Sequence, residues 1–311
     1  MQAVVLDYGG EPYVFYLSYS AGYLYKTVRS GGVWTITAID SSVSGWYYLS
    51  AAVVNGTPAA IYGKGTPASM FYGTYVGGSW SKSVFTANLK SAFAEPTLAD
   101  VAGVPYVGYT EDPTGIVVAH LSGGGWTNDT IGTGIGVTVA NVGGLPAAAY
   151  QRTSPSGAIV YAAYNGSSWV QTVVEVIGGS YGLALTTWDG QPLVVYGSFY
   201  TGAGLRWGLY SNSSETWSVD YLNSSQPSSM FPRFGEAACT EPVLAAFYRS
   251  TCLVYTFNGS WTEQYAHPFY TINNDYEVPC SATGVSDLPG VVYRRGSLGS
   301  EELWYVESSL P

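Results

Sequence analysis

Short runs of alternating apolar and polar residues fill the chain, each bounded by Gly, Asn or Pro. Residues 49–86 show the arrangement: LSAAVV (49–54), a turn at NGT, PAAIYG (58–63), SMFYGTY (69–75), a turn at VGGS, then WSKSVFT (80–86). A period of two in runs rich in Val, Tyr, Phe and Thr predicts β-strands, since successive side chains point to opposite faces of a sheet. Nowhere does a 3.6-residue period last longer than two turns. The chain therefore reads as all-β.

The four-strand pattern repeats. A Pro followed four residues later by Tyr recurs as Pro12/Tyr16, Pro58/Tyr62, Pro105/Tyr109, Pro146/Tyr150, Pro192/Tyr196 and Pro289/Tyr293, with Pro242 opening a variant that carries Phe247 and Tyr248. Downstream of each but the last, Pro289/Tyr293, a tight turn closes on Trp34, Trp80, Trp126, Trp169, Trp217 or Trp261. Successive prolines lie 41 to 50 residues apart. Four-stranded units of that period are the pattern of propeller blades, whereas the coils of a parallel β-helix are shorter. The expected architecture is a seven-bladed β-propeller over residues 1–311, one domain, with blades near 1–40, 41–88, 89–132, 133–176, 177–223, 224–267 and 268–311. The recurring Tyr and Trp read as packing residues between blades.

The last unit is short. It holds an inner strand VPCSATGV (278–285), a second GVVYRR (290–295) and a third ELWYVES (302–308), with Trp304 inside that third strand. AVVLDY (3–8) already serves unit one as its inner strand. A three-stranded last blade, or a chain trimmed at its ends, is one reading. Completion of the blade by a strand from another copy, giving head-to-tail assembly, is the other.

The pattern G-x-P-x-x-x-Y … L-x-Y … G-x-x-W resembles the secreted propeller repeats of bacterial and archaeal surface proteins. That resemblance implies export and a non-catalytic or unassigned role more often than a known activity. Asp-boxes, a WD40 series and the kelch arrangement are all absent from the repeats.

Composition narrows the function classes. Only 10% of residues are charged, against about 25% in ordinary domains, so hydroxyls and glycines make up much of the polar surface. That suits an extracellular or cell-surface protein. A net charge of -10 excludes a phosphate-binding surface, and nucleic acid with it. No apolar run approaches the length of a membrane span. Asn-X-Ser/Thr sequons at Asn55, Asn128, Asn165, Asn212, Asn223 and Asn258 are expected glycosylation sites, although Asn-Gly turns also suit hairpins.

Candidate chemistry is sparse. Of Cys239, Cys252 and Cys280, the pair Cys252–Cys280 is the candidate disulfide, with buried thiols as the alternative. These cysteines lack metal-ligand spacing, and no metal or cofactor is expected. His120 falls in a third strand, and His267 in the loop before the last blade. Much of the scarce charge gathers where second strands end and inner strands open: Lys64, Glu111, Asp112, Arg152, Arg233, Arg249, Glu277, Arg294 and Arg295. Arg forks and aromatic faces there would suit an acidic or neutral saccharide. A glycosidase would need two carboxylates about 5–10 Å apart, and nothing in the sequence pairs them. The reading from sequence is a structural or adhesive glycoprotein, with self-association or surface glycans as partners. A lectin-like propeller is the alternative, and a sialidase-like hydrolase or lyase the third.

Overall fold

The computed structural model describes residues 2–18, 21–41, 49–64, 69–85, 95–111, 113–154, 157–198, 204–223, 231–234, 242–248, 251–268, 281–285, 288–295 and 302–307. They form an all-β propeller with antiparallel blades. Blade one is β1 (Gln2–Tyr8), β2 (Glu11–Ser18), β3 (Tyr23–Ser30) and β4 (Val33–Ser41). Blade two is β5 (Leu49–Val54), β6 (Thr57–Lys64), β7 (Ser69–Val76) and β8 (Ser79–Val84). Blade three is β9 (Thr97–Val101), β10 (Val104–Glu111), β11 (Gly115–Ser122) and β12 (Gly125–Thr133). Blade four is β13 (Ile135–Val142), β14 (Leu145–Arg152), β15 (Ala158–Tyr164) and β16 (Trp169–Val176). Blade five is β17 (Ser180–Trp188), β18 (Gln191–Ser198), β19 (Gly204–Ser211) and β20 (Thr216–Asn223). Blade six is β21 (Phe231–Phe234), β22 (Val243–Tyr248), β23 (Thr251–Phe257) and β24 (Trp261–Pro268).

The expected count of seven blades is corrected to six four-stranded blades. The remaining strands, β25 (Ser281–Val285), β26 (Leu288–Arg295) and β27 (Glu302–Glu307), form a sheet of only three. Among the described residues the last repeat shows no outer strand, in keeping with its lack of a Gly-x-x-Trp hairpin. The expected placement of His267 is also corrected. It lies in β24, paired with Cys252 of β23, because the alternating run from Trp261 continues to Pro268.

The chain divides into two compact units: Met1–Val53, Thr57–Thr86 and Arg233–Pro311 form one, Val54–Gly56 and Ala87–Pro232 the other. Within the second, blade four shows why the strand sequences look as they do. Val139, Ala148, Tyr150, Ala158, Val160 and Ala162 pack toward blade three, with Ile116, Val118 and Ile131. The alternate residues Ala147, Ala149, Ile159 and Tyr161 pack toward blade five, with Leu185, Val194 and Tyr196. Both faces of β14 and β15 are thus covered, and their sequences run nearly uninterrupted in apolar residues instead of alternating. In the first unit Leu6, Phe15, Leu17 and Leu24 of blade one meet Leu49, Ala60 and Tyr62 of blade two in the same way. Ala3, Val5 and Val14 meet Val292 of the three-stranded sheet.

Turn chemistry sets the registers. The Gly31-Gly32, Gly77-Gly78 and Gly123-Gly124 pairs all have positive φ at both positions, which matches a two-residue hairpin to the strand twist. Ala102 holds the same conformation (φ 52) without the freedom of glycine. Outer strands then carry an extra residue facing the start of the third strand: Ile39, Ile131, Val174 and Leu222 are the residues skipped in pairing. In blades one and four the residue after the bulge, Asp40 and Glu175, reaches a tyrosine of the next blade.

Candidate functional site

The register gives the repeated Tyr its place. Tyr16, Tyr62, Tyr109, Tyr150, Tyr196 and Tyr293 face Tyr25, Phe71, Val117, Val160, Arg206 and Trp304 of their third strands. Tyr62, Tyr109, Tyr150 and Tyr196 are wholly buried, so their hydroxyls need partners. Tyr62 donates to Asp40 Oδ2 at 2.8 Å, and Lys82 pairs with the same carboxylate. Tyr196 donates to Glu175 Oε2 at 2.6 Å, while Arg206 holds both oxygens of Glu175. Asp40 and Glu175 each follow the bulge of an outer strand and tie it to the next blade. The residue after the bulge in blade three is Gly132. A Cβ there would lie 2.3 Å from the Tyr150 hydroxyl, which turns instead to Gln171 Oε1 at 2.8 Å. Gln171 in turn donates to the carbonyl of Ile131.

Burial pushes these phenols above their ordinary value. Tyr109 rises to about 12, through burial and then the negative charge of Glu111. Tyr62 and Tyr196 rise further, through burial and then their hydrogen bonds and carboxylate neighbours, partly opposed by Trp80 and Arg206 respectively. Arg206 loses some basicity to burial but gains more from Glu175, so its guanidinium is held above its usual range. These groups were not singled out from sequence. Asp40, Gly132 and Glu175 all stand six residues after their blade's Trp, a spacing whose meaning emerges only once the bulge is known.

Part of the charged series named from sequence shares a register position within its own blade. Lys64, Glu111, Arg152 and Arg295 hold a single register position, two residues beyond the repeated Tyr, where the second strand enters its hairpin toward the third. Ser18 and Ser198 hold it in blades one and five. Arg294 lies one place earlier in β26, and Arg233 lies in β21. Asp112, Arg249 and Glu277 lie outside the described residues, as do the side chains of Lys64, Arg233, Arg294 and Arg295.

Within the second unit the described part of the series is Glu111 and Arg152, both partly buried. Arg152 lies close enough to Tyr150 for its charge to act on that phenol, yet its Nε is buried with no hydrogen-bond partner among the described residues. Thr110, beside Glu111, is 1% exposed, and its hydroxyl is likewise buried and unpartnered. Two polar atoms with unused bonding capacity therefore lie at the ends of β10 and β14. Thr110 carried no signal in the sequence.

The remaining named residues are placed as follows. Asn55, Asn128, Asn165, Asn212 and Asn258 are all exposed, and all but Asn128, which is in β12, lie at hairpin turns. The Asn165 amide oxygen accepts from Ser167 N (3.0 Å), Ser167 Oγ (2.9 Å) and Ser168 N (2.9 Å), a side-chain turn that leaves the amide nitrogen outward. Asn223 ends β20, with its side chain outside the described residues. Cys252 lies in β23, its side chain likewise undescribed, while Cys239 and Cys280 lie outside the described residues. His120 of β11 stacks on Tyr106, ring centroids 5.1 Å apart. Among the described residues no group of three His, Cys, Asp or Glu side chains could hold a metal ion.

No protein-family model matches this chain, and no curated protein sequence does. Solved structures match its fold. A fucose-specific lectin from Aleuria aurantia, seen with Fucα1-6GlcNAc, is 14% identical, covers 88% of this chain and 97% of its own, and gives a TM-score of 0.61. AofleA from Arthrobotrys oligospora is 12% identical over 87% of this chain and 86% of its own, at 0.59. An ulvan lyase of a new polysaccharide lyase family, bound to a GlcA(1-4)Rha3S unit, is 10% identical over 97% and 90%, at 0.62. A further structure of the Aleuria lectin is described as a six-bladed β-propeller. At these identities the likeness is one of fold.

Proposed function

We propose that this protein is a carbohydrate-binding, lectin-like propeller whose site lies at the blade ends marked by Glu111 and Arg152. The observation that carries the reading is that two polar atoms at strand ends, Nε of Arg152 in β14 and the hydroxyl of Thr110 in β10, are buried without a hydrogen-bond partner among the described residues. A guanidinium suits sugar hydroxyls and, more strongly, a uronate carboxylate. Glu111 supplies an acceptor for neighbouring hydroxyls. The fold neighbours support the same class of ligand, since several are fucose-binding lectins and one was solved with an acidic disaccharide unit. This reading replaces the adhesive one as the leading account.

Calorimetric titration tests it, with methyl α-L-fucoside and a glucuronate-bearing oligosaccharide as probes. Saturable binding to one of them is expected, weakened about tenfold or more by Arg152→Ala, the loss of one charge-assisted contact. Absence of binding to both, or binding indifferent to Arg152→Ala, would contradict the proposal. The lyase likeness favours a second reading only if the acidic probe is cleaved, with an unsaturated uronate as product.

A further inference from the structure

Lys26 of β3 shows how two tyrosines facing each other across a blade interface hold a cation. It is 8% exposed, and its Nζ lies 3.2 Å from the ring centroid of Tyr75 in blade two and 5.7 Å from that of Tyr13 in its own blade. Among the described residues no carboxylate pairs with it. The attraction is that of an ammonium for the electron-rich face of an aromatic ring. Tyr13 stands three residues before the repeated Tyr of blade one. Tyr75 stands four residues after Phe71, the partner of the repeated Tyr of blade two.

The same two places in blades three and four hold Tyr106 and Tyr164. This pair is also close: the Tyr106 phenol is held above its ordinary value by burial, then by its neighbours Tyr164 and Asp129. Between blades four and five, by contrast, Ala147 takes the first place.

What differs from blade one is the chemistry around the pair. Val118 takes the register place of Lys26, so the chain puts no ammonium of its own there. Asp129 takes the place of Thr37 on the outer strand. A carboxylate thus stands where blade one has a hydroxyl, and an apolar side chain where it has a lysine. Asp129 Oδ2 accepts from Trp169 Nε1 at 3.2 Å, and among the described residues no Lys or Arg pairs with the carboxylate. Trp169 lies 5.5 Å from Tyr164, and His120 stacks on Tyr106 at 5.1 Å. The His120 Nδ1 is buried with no hydrogen-bond partner among the described residues. Tyr106, His120, Asp129, Tyr164 and Trp169 are each half-buried, so a solute can reach them from solvent.

We infer that this cluster between blades three and four binds the ammonium group of a small organic cation, a charged primary amine. The faces of Tyr106 and Tyr164 take the part that Tyr13 and Tyr75 take around Lys26. Asp129 balances the charge, and His120 Nδ1, in the tautomer protonated at Nε2, accepts one N–H. The net charge of -10 favours the approach of a cation. The inference does not rest on the sugar reading. Thr110 lies four residues along β10 from Tyr106, and Arg152 faces Ala158, at the end of β15 away from Tyr164.

Nuclear magnetic resonance tests it on the whole chain, following the Trp169 indole N–H as n-butylammonium, a copy of the end of a lysine side chain, is added. Glucosamine and N-acetylglucosamine are titrated in parallel, one sugar with and without the positive charge. Saturable shifts are expected with butylammonium and glucosamine, and none with N-acetylglucosamine. Tighter binding of butylammonium would make a peptide amine the natural source, and tighter binding of glucosamine an amino sugar. Asp129→Asn, which still accepts from Trp169 but carries no charge, should weaken binding about fivefold or more. Val118→Lys should abolish it by placing the chain's own ammonium between the tyrosines, as in blade one. Should circular dichroism show that variant unfolded, Tyr164→Leu replaces it and is expected to cost about fivefold. No saturable shift with either ammonium, equal binding of N-acetylglucosamine, or binding indifferent to Asp129→Asn would each overturn the inference.

Discussion

Glu175 concentrates most of what a single residue does in this fold. Its carboxylate takes the Tyr196 hydroxyl and both guanidinium contacts of Arg206, with side-chain exposures of 23% for Glu175 and 11% for Arg206. Arg206 also lies 4.3 Å from the face of Tyr221, so the ion pair is roofed by an aromatic ring. Removing one partner of such a pair strands the other in a poor solvent. Glu175→Ala should lower unfolding stability by about 3 kcal/mol, read as a fall in the urea midpoint. Arg206→Met added to it should recover part of the loss, because the stranded cation goes too. A Glu175→Ala protein as stable as the parent would show that water screens the group.

At the scale of elements, the wholly buried tyrosines of the second strands are the recurring device. Each holds its proton more tightly in the fold than the ordinary phenol value of 10.0, and Tyr109 does so up to about 12. Below pH 10 both folded and unfolded chains keep that proton, and the contribution to stability is complete. Between pH 10 and 12 the unfolded chain ionises first, so stability falls as pH rises toward the folded value. Denaturant midpoints should therefore drop across that window, and tyrosinate absorbance should show a class of phenols that ionises only on unfolding. A flat midpoint through the window would mean that these hydroxyls are reached by solvent. The Pro-x-x-x-Tyr spacing made the series legible in the sequence. Its partners were not, because Asp40 and Glu175 come into position through a bulge that shifts the outer strand by one residue, and a one-residue shift reverses which face a side chain occupies.

For the whole molecule, period and strand pattern carried the all-β propeller, since turn signals recur at every strand end. The count of blades was over-read: the seventh repeat, expected to be short of its outer strand, was counted as a blade, whereas β25–β27 supply a sheet of only three strands. Function was less legible, for a physical reason. Loop-end residues such as Arg152 stand in no local motif, and what marks Arg152 and Thr110 is unspent bonding capacity that arises only on burial. The central claim is that those blade ends take a saccharide, and a glycan microarray probed with the labelled protein tests it most directly. The expected result is a restricted set of fucosylated or uronate-bearing glycans retained by the parent and lost with Arg152→Ala. An array with no retained glycan, or one on which Arg152→Ala gives the same pattern as the parent, would contradict it.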